Sequence, residues 1–158
     1  MNADRKPIRV LFVCMGNICR SPAGENIFRK MVSDAGRDAD FHIDSAGTID
    51  FHEGSPPDSR MTATLLSHGY PVTGHARQIK PADLAGFDLI VTMDDENLKA
   101  VRRLDREGGF REKIRPLVGF CTSHDDPCVP DPYYGGQQGF EKVIELLEDG
   151  CRGILGRY

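Results

Sequence analysis

The chain has 158 residues, 39% of them hydrophobic, which predicts one domain over 1–158 with a single core. Its formal net charge of -4 argues against a generic nucleic-acid binder, no apolar run approaches a membrane span, and Met1-Asn2-Ala3-Asp4-Arg5-Lys6-Pro7 has no hydrophobic signal region. Five cysteines, an odd number with no paired framework, suit a reducing cytoplasm in which a reactive thiol survives.

Strand-like and helix-like segments alternate along the chain. Ile8 to Cys14 reads as a strand, followed by a helix with Ala23, Ile27 and Met31 on one face that ends near Gly36. A second strand is expected around Phe41 to Ser45, then a helix carrying Met61, Ala63 and Leu65, started by Pro57-Asp58 and closed by Gly69. The run from Phe87 to Met93 is short and apolar, of the kind buried in a parallel sheet. Leu98, Val101 and Leu104 mark the next helix and Ile114 to Val118 a fourth strand. The last helix carries Phe140, Val143, Ile144, Leu147, Cys151 and Ile154 at helical spacing. This alternation predicts an α/β fold, a four-stranded parallel sheet with helices on both faces and ligands at the carboxyl ends of its strands. Residues 105–109 and 123–126 read as exposed loops, and Arg102-Arg103 as a solvated helix face.

Directly after the first strand comes Cys14-Met15-Gly16-Asn17-Ile18-Cys19-Arg20-Ser21. A loop of this length can curl so that successive backbone N–H groups form an anion nest, and Gly16 and Asn17 accept the left-handed conformations that such a curl needs. Ser21 is expected to cap the following helix and Pro22 to occupy its first turn, with the positive helix end facing the same anion. Arg20 adds a planar fork of donors that matches two phosphoryl oxygens. These groups also favour a thiolate at Cys14. The lysine-bearing nucleotide loop is absent, and a nucleophile occupies the cradle, so a bound phosphate is expected to be attacked rather than held.

Val13 to Pro22 resembles the signature of the low-molecular-weight protein tyrosine phosphatases, and Asp131-Pro132-Tyr133-Tyr134 resembles that family's second signature. Asp44-Ser45-Ala46-Gly47-Thr48, Gly54 with Asp58 and Arg60, Ala76-Arg77-Gln78 and Met93-Asp94 also fall where the family has them, so the likeness spans nearly the whole chain. The resemblance implies a metal-independent, cofactor-free hydrolysis of phosphotyrosine through a cysteinyl-phosphate, with Cys14 as nucleophile and Asp131 as general acid and then base. The partners implied are a phosphotyrosine-bearing protein or peptide and inorganic phosphate as product, with neither nucleic acid nor membrane. The residue pattern agrees with these roles, because a departing phenolate needs a proton and the attacking water must lose one. Met15, Gly16, Asn17, Ile18, Cys19 and Ser21 are expected around the phosphate. Phe51, Tyr133 and Tyr134 are expected as flat walls for a phenyl ring, Phe51 lacking the polar handle of the commoner tryptophan or tyrosine.

The family's supporting hydrogen bonds match Asn17, Ser21 and Ser45. The histidine that commonly joins them stands three residues before the arginine of Ala-Arg-Gln, whereas His75 is two before Arg77 and reads as an exposed turn residue. His42, His52, His68 and His124 have no metal-ligand spacing and are expected at the surface. In the family, the counterpart of Cys19 can form a reversible disulfide with the nucleophile. Cys121 and Cys128 resemble the resolving pair of arsenate reductases but lie in the wrong part of the chain, and Asp-Pro-Tyr-Tyr argues against that activity. Protein-arginine phosphatases on the same fold typically carry threonine at the position of Ile18, which favours an aromatic ester here.

Overall fold

The first strand, β1 (Ile8–Cys14), sets the layout. Side chains alternate across a strand, so Val10, Phe12 and Cys14 face one side and Leu11 and Val13 the other. All five are buried, which requires helices over both faces. The computed structural model describes residues 6–158 and has this arrangement; most of the N-terminal segment considered above lies outside the described residues. With β2 (Phe41–Gly47), β3 (Leu89–Thr92) and β4 (Ile114–Pro116), β1 forms a four-stranded, all-parallel sheet in the order β2-β1-β3-β4.

On one face, α1 (Arg20–Asp34), α2 (Ser59–Ser67) and α5 (Gln137–Arg157) bury Ile27, Phe28, Met61, Leu65, Phe140 and Ile144 against Val10 and Phe12. On the other, α3 (Pro81–Gly86) and α4 (Asp95–Leu104) bring Leu84 and Val101 onto Leu11, Val13 and Ile90. β1 pairs with β2 on one side and β3 on the other, so the direction of winding reverses at β1. The crevice at the carboxyl ends of β1 and β3 is where such a sheet binds ligands. Cys14 and Asp94 flank it in sequence.

The four strands stand where the patterning puts them, with one strand shorter than expected and one short helix added. β4 stops at Pro116, because Leu117–Phe120 turns into a 3-10 helix instead of extending the ladder to Val118. α3 is too short for periodicity to reveal; Pro81 in its first turn and Asp83, whose Oδ2 accepts the Lys80 N–H at 2.7 Å, are the local signals for it. Among the described residues, no helix is long and apolar enough to cross a membrane.

The long helix α5 is locked to the 3-10 turn at 117–120 by close approach. A Cβ built on Gly153 would lie 2.0 Å from the Phe120 carbonyl oxygen. Asp149, one turn earlier and 1% exposed, accepts the N–H groups of Thr122 and Ser123 and contacts His124 Nδ1 at 2.8 Å. His124, expected as a plain surface residue, is therefore bound to a buried carboxylate. Burial alone would raise the pKa of Asp149, but the bonds from Thr122, His124 and Ser123 outweigh it and hold the carboxyl well below its usual range.

Two outcomes follow for stability. Helix propensity favours Ala over Gly by about 1 kcal/mol, yet Gly153→Ala should lower the melting temperature in calorimetry because its Cβ meets backbone. Gly156→Ala, with nothing within 4 Å, should not lower it. Asp149→Asn should cost about 1–3 kcal/mol at neutral pH. Since the folded pKa is depressed, that difference is present above the ordinary carboxylate range and shrinks as pH falls below it, which denaturant titrations at several pH values will measure.

Candidate active site

β1 delivers Cys14 to the carboxyl edge of the sheet, and residues 15–19 fold back before Arg20 opens α1. Asn17 has φ 58° and is the one non-glycine residue with positive φ among the described residues. Gly16, expected to share that conformation, does not; its lack of a side chain makes room for His52, whose Cδ2 would lie 3.1 Å from a Cβ there. Gly47, at the end of β2, is required by a closer approach, since its Cβ would sit 2.7 Å from the Met15 carbonyl. Among the described residues, nothing accepts a hydrogen bond from the N–H groups of Met15 to Cys19, which leaves five successive donors for an anion.

Ser21 does not cap α1. Cys19 holds the cap position without a side-chain bond, and Ser21 Oγ instead lies 3.0 Å from Cys14 Sγ and accepts from Asn17 Nδ2 at 2.7 Å. With its oxygen receiving the amide, the hydroxyl proton has two acceptors within reach, the Ala46 carbonyl at 3.4 Å and the sulfur at 3.0 Å, and a thiolate at Cys14 favours the sulfur. Asn17 Nδ2 also reaches Ser45 Oγ at 3.0 Å, Ser45 donates to Glu25 Oε1 at 2.6 Å, and Arg29 closes the chain on Glu25 Oε2 at 2.6 Å. The Arg77 N–H donates to Asn17 Oδ1 at 3.0 Å, so both polar atoms of that side chain are used. The side chains of Asn17, Ser21 and Ser45 thus make hydrogen bonds of the supporting kind expected of them, while Asn17 and Ser21 were also expected around the phosphate and their side chains are turned to these partners. Glu25 and Arg29 carry no local signature that marks them for this task. His75 is exposed, and the position three before Arg77 is Gly74, where a Cβ would lie 3.9 Å from both Glu25 carboxylate oxygens.

The Arg20 side chain is 3% exposed. Its Nη1 donates to Asp94 Oδ2 at 2.6 Å and to the Val129 carbonyl at 3.0 Å, and its Nη2 stands 3.7 Å from Asp131 Oδ2. Burial by itself would lower its pKa, but Cys14 and the bond to Asp94 outweigh that and hold it above the ordinary value. Asp94 has a second task, because its Oδ1 accepts the Asn97 N–H at 2.8 Å and caps α4. Beyond the family likeness at Met93-Asp94, the sequence signal for it is an acidic residue between a buried strand and a helix.

Cys14, Arg20 and Asp131 all line one cleft of about 180 Å³, together with Met15, Gly16, Ile18 and Cys19. Phe51, Tyr133 and Tyr134 line it too, as do Ile49 and His52, the latter expected at the surface. Neither tyrosine packs into the core: Tyr133 is 36% and Tyr134 90% exposed, and their rings meet edge to face at 5.0 Å. Burial, and then the charges of Asp58, Cys14 and Asp131, push the Cys19 thiol well above its ordinary pKa. Cys121 is pushed up to about 11, first by burial and then by Asp149. Among the described residues, no group of three or more His, Cys, Asp or Glu is arranged to hold a metal ion.

Asn17→Ala removes the bonds to Ser21, Ser45 and Arg77 and puts a Cβ without local hydrogen bonds at positive φ. It should weaken the binding of inorganic phosphate by about 10- to 100-fold, measured by titration calorimetry. Asn17→Gly, which tolerates the backbone but makes none of the bonds, should recover only part of the loss.

Residues 9–157 match the family model described as low molecular weight phosphotyrosine protein phosphatase. A low molecular weight protein-tyrosine-phosphatase of Streptomyces coelicolor is 44% identical over 149 residues, covering 93% of this chain and 91% of that protein. The crystal structure of a protein tyrosine phosphatase from Entamoeba histolytica superposes with a TM-score of 0.91 at 39% identity, covering 95% of this chain and 96% of the other. A Drosophila arginine phosphatase gives a TM-score of 0.87 at 29% identity, covering 96% and 98%. With a match across almost its entire length, the chain belongs to the low molecular weight phosphotyrosine protein phosphatase family.

Proposed function

We propose that the chain, acting as one catalytic unit over 1–158, hydrolyses phosphotyrosine in proteins or peptides through a cysteinyl-phosphate intermediate, in the cytoplasm. The observation that carries this reading is the meeting of Cys14, Arg20 and Asp131 in one cleft walled by Tyr133 and Tyr134. The Cys14 thiolate attacks phosphorus as the bond to the phenolic oxygen breaks, and Asp131 supplies the proton that oxygen needs. Asp131, now ionised, takes a proton from water as that water attacks phosphorus, and inorganic phosphate leaves with the thiolate restored. Arg20 and the free N–H groups of the loop stabilise the equatorial oxygens, whose charge develops in the transition state. Ser21, 3.0 Å from the sulfur, stabilises Cys14 as attacking and as departing thiolate.

Fold similarity alone does not separate phosphotyrosine from phosphoarginine, since solved relatives carry either name. Ile18, an apolar cleft residue 9% exposed, supports the aromatic ester. Cys19, kept protonated by burial, is the thiol positioned in sequence to pair reversibly with Cys14 on oxidation.

Purified protein should turn over phosphotyrosine in preference to phosphoarginine or arsenate. Cys14→Ser should abolish turnover while retaining phosphate binding; turnover near the wild-type level would exclude the covalent route. Asp131→Asn should lower kcat/KM by about 10²- to 10⁴-fold for aryl phosphates with poor leaving groups and much less for good ones. Equal slowing across leaving groups would remove Asp131 from the acid role.

A further inference from the structure

Arg60, the second residue of α2, sends its side chain out of the helix to the loop that carries Asp131. Its Nη2 donates to the Tyr133 carbonyl at 2.8 Å. Its guanidinium carbon lies 5.3 Å from the Tyr133 ring centroid and 4.8 Å from that of Phe140, in the first turn of α5. Asp58 holds the same guanidinium, with Oδ1 at 3.5 Å from Nε, while accepting the N–H groups of Arg60 and Met61.

Tyr133 is more than a wall of the cleft. Its N–H donates to Asp131 Oδ1 at 3.1 Å, while Asp131 Oδ2 faces Arg20 Nη2 at 3.7 Å. One residue therefore has its N–H on the proposed acid and its carbonyl on Arg60. On the other side of Asp131 the chain is held at Val129, whose N–H donates to the Met93 carbonyl at 2.8 Å and whose carbonyl accepts from Arg20. Asp131 stands between these two attachments, flanked by Pro130 and Pro132. Among the described residues, Arg60 is the one side chain besides that of Asp131 itself that hydrogen-bonds the backbone of residues 132–136.

We infer that Arg60 is a positioning residue for proton transfer: it fixes the Tyr133 peptide and, through that peptide's N–H, the Asp131 carboxyl at the mouth of the cleft. The inference rests on the acid role proposed for Asp131. Removing the guanidinium leaves the thiol, Arg20 and the anion loop intact but lets the segment after Asp131 drift. The loss falls on steps that need the acid, and misplacement of a catalytic group by about an ångström is costly. Lysine can still donate to the carbonyl but cannot cover both rings as a planar fork.

The test compares kcat/KM for phenyl phosphate and 2,4-dinitrophenyl phosphate, whose phenols leave with and without need of a proton. Arg60→Met should lose about 10- to 100-fold on phenyl phosphate, a part of what a general acid contributes, and less than about threefold on the dinitrophenyl ester, with inhibition by inorganic phosphate unchanged. Arg60→Lys should restore part of the phenyl phosphate rate, and it carries the comparison if Arg60→Met does not fold. In an Asp131→Asn background, Arg60→Met should have little further effect, since both changes remove the same contribution. Equal losses on both esters, or losses that add to those of Asp131→Asn, would overturn the inference. If Asp131→Asn alone shows no dependence on the leaving group, the acid assignment fails instead.

Discussion

A guanidinium ion only 3% exposed holds this site together, and its partners come from two distant parts of the chain. Arg20 opens α1, Asp94 follows β3, and Val129 and Asp131 belong to the loop before α5. A buried charge is tolerated when its donors are matched, and removing one partner of such a pair typically costs about 3–5 kcal/mol. Satisfying Arg20 therefore forces the ends of β1 and β3 and the 129–131 segment to meet. The same contacts point one edge of the guanidinium at the cleft while Nη1 is held on Asp94 and Val129.

The anion loop depends on a second set of contacts behind it. Five free backbone N–H groups on a short loop would find other partners if the loop could relax. Asn17 in the left-handed region, tied to Ser21, Ser45 and the Arg77 N–H, prevents this, and Gly47 lets the loop lie against the end of β2. The chain of bonds continues through Ser45 to Glu25 and Arg29 on α1, so the helix that carries Arg20 also braces the loop before it. Donors held in place before an anion arrives need not reorganise when charge develops, which is what makes them effective in a transition state. The aromatic rim follows a different rule: Phe51 and Tyr134 are mostly exposed and contact mainly neighbouring rings.

Local sequence rules account for much of this. The apolar run of β1, the pattern of α5 and the alternation of elements follow from periodicities of two and 3.6, because burying one face of each element leaves few alternatives. Cys14, Arg20 and the Asp131 motif were legible because their chemistry depends on residue type and close spacing. Asp94, Glu25, Arg29, Ile49 and Arg60 carry no local signature of their roles, which depend on partners distant in sequence, and His52 and His124 read as surface residues for the same reason. Ser21 illustrates the limit of local rules: serine beside a helix start reads as a cap, and its place in the supporting network comes from the family resemblance and from the nearness of Cys14 and Asn17 in the fold.

By itself, then, the sequence determined the parallel α/β class and pointed to the proposed nucleophile at the end of the first strand and the proposed acid more than a hundred residues later, all through properties of short segments. Tertiary structure alone decided what surrounds them: which carboxylates face Arg20, which side chains turn behind the loop, and how Asp131 is held over the cleft. These depend on packing and on the cost of leaving buried charges and donors unmatched, and that cost is settled only once distant segments come together.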